Sequence, residues 1–438
     1  MDTPNAVVSN LNTAHAEQLN RVYKKISWRL LPLLLLCYFF SYLDRINIGF
    51  AKLQMQQDLG FSDAVYGMAA GIFFLGYVMF EIPSNLLLEK IGARKTITRI
   101  MVLWGLASAS MLFVTSPTMF YVLRFLLGVF EAGFAPGMIF FLTYWYSGAR
   151  MARVMAIVMM AAPLGGMLGS PLSTHIMTLF DGTHGLAGWQ WVFLIEGIPT
   201  VVLGMVTFFY LTDHPNQAKW LTESEKQLIR QEIQVHQTTT HTGFKTVLKD
   251  PWIYCMAFAY LTIISGIYAI GFWFPTLLKN SGIHDLNTVG WLTSIPYLVS
   301  IVFMLVFAKT SDAMQERKWH GSLTALGAGV LLLVSVSFTT HFWAAFVSIV
   351  LATGLMWAAY TIFWAIPSRY LTDTAAAGGI ALINSIGLIG GFISPNIMGM
   401  AQSMTQSLMA GWIVMAILLA LGGLALLGAF ALKQEVKS

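Results

Sequence analysis

Twelve stretches of about 20 apolar residues recur along this chain, and a length of that kind is what a helix needs to cross the hydrocarbon of a bilayer. They lie near 30–50, 65–88, 97–115, 118–140, 152–175, 190–211, 252–278, 289–309, 321–338, 342–367, 375–400 and 406–432. Within lipid a backbone must satisfy its own polar groups, so each stretch is predicted to be a helix. The balance of residue types agrees. Hydrophobic residues make up 57% of the 438 and charged residues only 10%, against about 25% charged in a soluble domain. The chain is therefore predicted to be an all-α membrane protein of twelve transmembrane helices, with the lipid bilayer as its first partner.

The charges give the spans a direction. Of the 25 Lys and Arg residues, Arg45 and Arg124 lie inside spans, and only Lys52 and Lys279 fall on one side. All the others fall on the opposite side, which the positive-inside rule makes cytoplasmic. Both termini then face the cytoplasm of a bacterial inner membrane, as an even number of spans requires. The net charge of +5 is topological, and no nucleic-acid partner is expected. Residues 1–28 are polar, contain no apolar signal core, and read as a partly disordered cytoplasmic tail. Cys37 and Cys255 fall within spans, giving neither a disulfide framework nor a metal spacing. No cofactor and no metal is expected, and a monomer is the simplest state.

A long polar stretch, 212–250, divides the chain into a six-helix half at 29–211 and another at 251–432, with 433–438 as a short tail. Its Glu223, Glu225, Lys226, Arg230 and Glu232 suggest a short amphipathic helix. Two echoes relate the halves. Glu89 stands five and six residues before Arg94-Lys95, and Asp312 stands likewise before Arg317-Lys318. Gly165-Gly166 precedes Pro171 in span 5, and Gly390-Gly391 precedes Pro395 in span 11. Duplicated six-helix halves with a site between them are a transporter layout. The loop echo reads either as a solvated basic turn or as a cytoplasmic gate of Glu89, Arg94, Asp312 and Arg317 that holds only while that side is closed.

Six charges sit where lipid should be: Asp44 and Arg45 in span 1, Glu81 in span 2, Arg124 and Glu131 in span 4, and Glu196 in span 6. Each costs about 2.5–3.5 kcal/mol at a helix centre unless it finds a partner or water. Arg124 and Glu131 are two turns apart on one face, with Asp44 and Arg45 as their expected partners. Such a quartet reads either as a structural lock between spans 1 and 4 or as an anion and proton site. Arg presents a fixed fork to a carboxylate. Burial favours a neutral carboxyl and a nearby Arg favours the ionised one, so an anion that takes the Arg promotes protonation of the acid. Glu81, just before Pro83, reads as snorkelling or capping as readily as function, and Glu196 as a structural hydrogen-bonding group.

Tyr42 on the Arg45 side of span 1, Tyr77 one turn before Glu81, and Asn384 in span 11 are candidates for contact with the anion. Tyr268 and Phe272 in span 7, and Trp357, Tyr360 and Trp364 in span 10, are candidates to line a cavity; ordinary helix packing is the alternative for each aromatic. No Walker sequence and no nucleophile or metal constellation stands out, so an enzyme is not expected.

The residues Tyr42-Leu43-Asp44-Arg45-Ile46-Asn47, Pro83-Ser84-Asn85, and Arg124-Phe125-Leu126-Leu127-Gly128 leading to Glu131-Ala132-Gly133 resemble the anion:cation symporter family of the major facilitator superfamily. Gly188-Trp189-Gln190-Trp191 and Ala381-Leu382-Ile383-Asn384-Ser385 fit it too. The resemblance spans about 25–430 and is nearest to bacterial permeases for tartrate, phthalate and hydroxyphenylacetate. It implies the major facilitator fold, two pseudo-symmetric halves, and proton-driven uptake of a small carboxylate by alternating access. It also implies that Asp44 and Glu131 bear protons while Arg45 and Arg124 serve the anion. The loop motif departs from the superfamily pattern, with Asn85 and Ala308 where Gly is usual and Glu89 in place of Asp. A hydroxydicarboxylate such as tartrate, an aromatic acid and a sugar acid all remain open as substrates. A transporter-like sensor without net transport is the reading from another class.

Overall fold

The structure, a computed structural model, describes residues 4–234, 248–338, 341–367 and 373–435. Arg369 of the turn after span 10 lies outside the described residues. Among the described residues twelve helices are long and apolar enough to cross a membrane. They are span 1 (His15–Leu59), span 2 (Asp63–Ile91), span 3 (Ala93–Phe113), span 4 (Pro117–Thr143), span 5 (Arg153–Phe180) and span 6 (Gly188–Tyr210). The second half follows as span 7 (Pro251–Asn280), span 8 (Leu286–Ala313), span 9 (Lys318–Ser337), span 10 (Phe342–Trp364), span 11 (Gly378–Thr405) and span 12 (Met409–Leu432). Short caps fix several ends. Ser62, Ser116 and Asp285 accept from backbone N–H groups in the first turns of spans 2, 4 and 8.

Span 1 departs most from expectation. The segment read as a partly disordered tail is helical from Pro4, continuous with the span to Leu59. The reason is an apolar stripe within its polar composition: Leu19, Val22, Tyr23 and Ile26 follow helical spacing, and all are buried. Tyr23 packs on Tyr146 at 5.6 Å between ring centroids. The helix Glu223–Gln234 of the 212–250 stretch docks against it, with Lys25 bonded to Glu225 at 2.9 Å. Trp220 stacks on Trp145 at 5.5 Å beneath the same helix.

The glycine pairs show how the halves are related. A side chain on Gly165 would meet Tyr42 of span 1, and one on Gly390 would meet Leu261 and Ser265 of span 7. Their neighbours face across the molecule: Gly166 lies against Tyr297 of span 8, and Gly391 against Phe74 of span 2. Spans 5 and 11 thus occupy equivalent places, each wedged between the first span of its own half and the second span of the other. The halves are pseudo-symmetric, and small residues let them approach closely along that seam.

Candidate functional site

Span 4 is not one helix. Its first part ends at Glu131, Gly133 takes a left-handed conformation (φ +84°), and a second helix runs Phe134–Thr143. Gly is suited to that conformation, and Pro136 in the next turn has no N–H to extend the ladder backwards. Broken helices at membrane depth occur where the backbone is buried in protein or lines a cavity. The break leaves Glu131 at the C-terminal, partially negative end of a helix, where a carboxylate needs an opposing charge or a proton.

Arg45 supplies the opposing charge. Its Nε donates to Glu131 Oε1 at 2.8 Å and its Nη2 lies 2.7 Å from the same oxygen. Ser41, one turn earlier in span 1, donates to that oxygen at 2.6 Å. Glu131 Oε2 is buried and has no hydrogen-bond partner. The remaining Arg45 donor, Nη1, reaches Tyr268 OH of span 7 at 2.9 Å. One guanidinium therefore ties span 1 to span 4 within its half and to span 7 of the other half. Phe73 and Tyr77 of span 2 face its plane, with Tyr77 at 5.2 Å.

The other two members of the expected quartet stand elsewhere. Asp44 turns away from span 4 and accepts from Trp104 Nε1 at 2.6 Å, Ser108 Oγ at 2.8 Å and Thr200 Oγ1 at 3.2 Å, on spans 3 and 6. Consecutive helical residues point about 100° apart, so one of the pair had to leave the site. Arg124 is fully buried, donates through Nε to Ala69 O of span 2 at 3.2 Å and lies over Phe73. Its Nη2 has no partner.

Around Arg45 the two halves contribute further polar groups. Tyr42 stands edge-on to Tyr297 of span 8 and to Trp357 of span 10, with centroids 6.1 and 5.9 Å away. The hydroxyls of Tyr42 and Tyr297 and the Nε1 of Trp357 are all buried without a hydrogen-bond partner of normal geometry. Phe272 stacks on Tyr268 at 5.6 Å, and Phe74 of span 2 packs on both rings. Tyr360 and Trp364 lie one layer away, against Tyr260 of span 7. Asn384 donates to Glu81 Oε1 at 2.8 Å, joining span 11 to span 2. Ser41, Phe74 and Tyr297 were not singled out from the sequence. Only Ser41 carried a signal, its position one turn from Arg45.

Residues 34–395 match the family described as Major Facilitator Superfamily. The chain belongs to that superfamily. Its relatives within it include a protein of Agrobacterium vitis provisionally named a tartrate transporter, 43% identical over 394 residues that cover 89% of this chain and 87% of that protein. The inner membrane transport protein RhmT of Escherichia coli is 36% identical, over 93% of this chain and 94% of its own. Two solved members share the fold at low identity. The xylose transporter XylE of E. coli, in a partially occluded inward-open state, gives a TM-score of 0.70 at 12% identity over 91% of this chain and 97% of its own. A bacterial homologue of the human lysosomal transporter Spinster, inward-facing and occupied, gives 0.70 at 15%, over 92% and 96%.

In this superfamily member the two ends of the molecule are held differently. At the end bearing the termini, each loop echo is tied within its own half. Asp312 pairs with Arg317 beside it, the Arg94 backbone N–H donates to Asp213 after span 6 at 2.7 Å, and Glu89 is exposed. At the opposite end the halves are joined through Lys52. The sequence placed Lys52 in a polar connection, but span 1 continues to Leu59 and buries it. Its ammonium pairs with Asp63 at 2.8 Å, donates to Thr276 of span 7 at 3.1 Å and lies 3.8 Å from the Trp273 ring centroid. Lys279 adds a bond to Leu53 O at 2.7 Å.

Proposed function

We propose that the protein takes up a small organic anion together with protons by alternating access, with both termini in the cytoplasm of a bacterial inner membrane. The observation that carries this reading is the Arg45 fork, closed on a single oxygen of Glu131 and reaching Tyr268 across the seam. A substrate carboxylate that takes the Nε and Nη2 donors leaves Glu131 with Ser41 alone, at a helix end that disfavours negative charge. Glu131 then takes a proton, so anion and proton bind cooperatively and leave together. The facing hydroxyls of Tyr42 and Tyr297 and the unbonded Nε1 of Trp357 suit the hydroxyls of a hydroxydicarboxylate such as tartrate, in line with the name of the Agrobacterium relatives. The Tyr268–Phe272–Phe74 cluster favours an aromatic acid as the second reading.

Uptake by reconstituted protein under an imposed proton gradient, against hydroxydicarboxylates, sugar acids and aromatic acids, tests the proposal. Glu131→Gln is expected to lose accumulation at least tenfold while substrate exchange persists, because Gln neither binds nor releases the coupled proton. Equal loss of both in a correctly folded variant sinks the coupling role. Substrate binding without uptake of any acid by the unaltered protein favours a sensor instead.

A further inference from the structure

Glu196 of span 6 has no part in the site above, yet it is 1% exposed at membrane depth. Its carboxyl accepts from Ser173 Oγ at 2.7 Å and from Asn47 Nδ2 at 3.0 Å. The same Asn47 amide lies 3.4 Å from Asp44 Oδ1. Two buried carboxyl groups therefore share one amide, and every group bonded to either is neutral: Trp104, Ser108 and Thr200 on Asp44, Ser173 on Glu196. Neither buried arginine of the half bonds to the pair: Arg45 is bonded to Glu131 and Arg124 to the Ala69 carbonyl. Two like charges joined this closely, in a dry interior and without a bonded cation, resolve by sharing a proton. The network also holds an acceptor that lacks a donor, since Asn47 Oδ1 is buried and unbonded. A protonated carboxyl brings the missing donor.

We propose that Asp44 and Glu196, bridged by Asn47, form a proton-holding pair distinct from Glu131. The proton arrives from water on one carboxyl oxygen and returns to water from the same pair, with no other bond made or broken. Its service to transport rests on the proton-coupled reading above; its existence does not.

Infrared spectra of the purified protein in light and heavy water test the pair directly, through the C=O stretch of a protonated carboxylic acid. E196Q is expected to remove the pair's share of the band, because Asp44, keeping its four donors and losing the carboxyl joined to it, ionises. An unchanged band in E196Q overturns the proposal. Should that variant fail to fold, S173A removes a donor from Glu196 and is expected to shift the band, and an unshifted band overturns it equally. In proteoliposomes E196Q is expected to lose proton-driven accumulation at least tenfold while exchange persists; accumulation with the parental pH profile excludes the pair from coupling. If the unaltered protein accumulates nothing, the transport reading fails and the infrared result still decides the pair.

Discussion

Glu131 Oε1 receives two hydrogen bonds, from Ser41 Oγ and Arg45 Nε, and pairs with Arg45 Nη2 beside them, while Oε2 receives none. That asymmetry makes Arg45 hard to replace. A lysine ammonium gathers its donors on one nitrogen and lacks the planar fork whose Nε and Nη2 face Glu131 while Nη1 reaches Tyr268. Arg45→Lys is expected to lower uptake at least tenfold even though the charge is kept, with substrate affinity as the measurement; parental uptake would remove the clamp. The residue types needed for the proposed chemistry were visible in the sequence, as were the two spans that carry them. Which of Asp44 and Arg45 turned towards span 4 was not visible. Adjacent helical positions differ by rotation, and the rotation of span 1 is set by packing against Trp104 and Tyr268, residues far away in the chain. Glu196 was read as a structural hydrogen-bonding group and does accept from Ser173 and Asn47, but its connection to Asp44 was hidden for the same reason, because it runs through Asn47 of span 1.

Among the elements, the helix before the first membrane crossing was hidden by composition. Its four buried positions at 19, 22, 23 and 26 are few beside the polar residues around them, and hydropathy averaged over a window erases a narrow stripe. The break in span 4 had its signals in Gly133 and Pro136, but apolar length alone joins the two pieces into one span. The docked helix Glu223–Gln234 gives a pH test at this scale. Partial burial alone would push the Glu225 carboxyl up, but hydrogen bonds from Lys25 and Thr222 outweigh it and hold it below the usual range. A carboxyl depressed in the folded state stabilises docking above its unfolded value, and the contribution disappears as pH falls through the folded value. Acidification is therefore expected to loosen this helix, read as a change in Trp220 fluorescence as it leaves Trp145. Glu225→Gln is expected to flatten that pH dependence; an unaltered profile assigns the change to another group.

For the whole molecule, the fold class and the two halves were legible because length, charge bias and the repeated glycine pairs each report on many residues at once. The closure around Lys52 was not, since a lysine near a span end reads as a solvated charge. Its cation–π and hydroxyl contacts to span 7 cross between the halves, and such a desolvated contact is worth about 2 kcal/mol. Lys52→Met is expected to shift the protein towards opening at that end. With Cys37 and Cys255 replaced by Ala and Thr174, which lies against Gly290 of span 8, replaced by Cys, an impermeant maleimide should label from that face about tenfold faster. No acceleration in a folded variant would show that Lys52 does not hold the halves. The charges share one further property. Every buried Asp, Glu, Lys and Arg among the described residues, from Asp44 to Glu196, belongs to the first half, and at the seam the second adds to its neutral groups the partly exposed Lys279 on Leu53 O. Under the proposed alternating access, the described part of the second half carries no buried fixed charge through the membrane field. An electrical recording of turnover in proteoliposomes would then register the first half and its passengers, so the current would be a ledger of protons against anion charge.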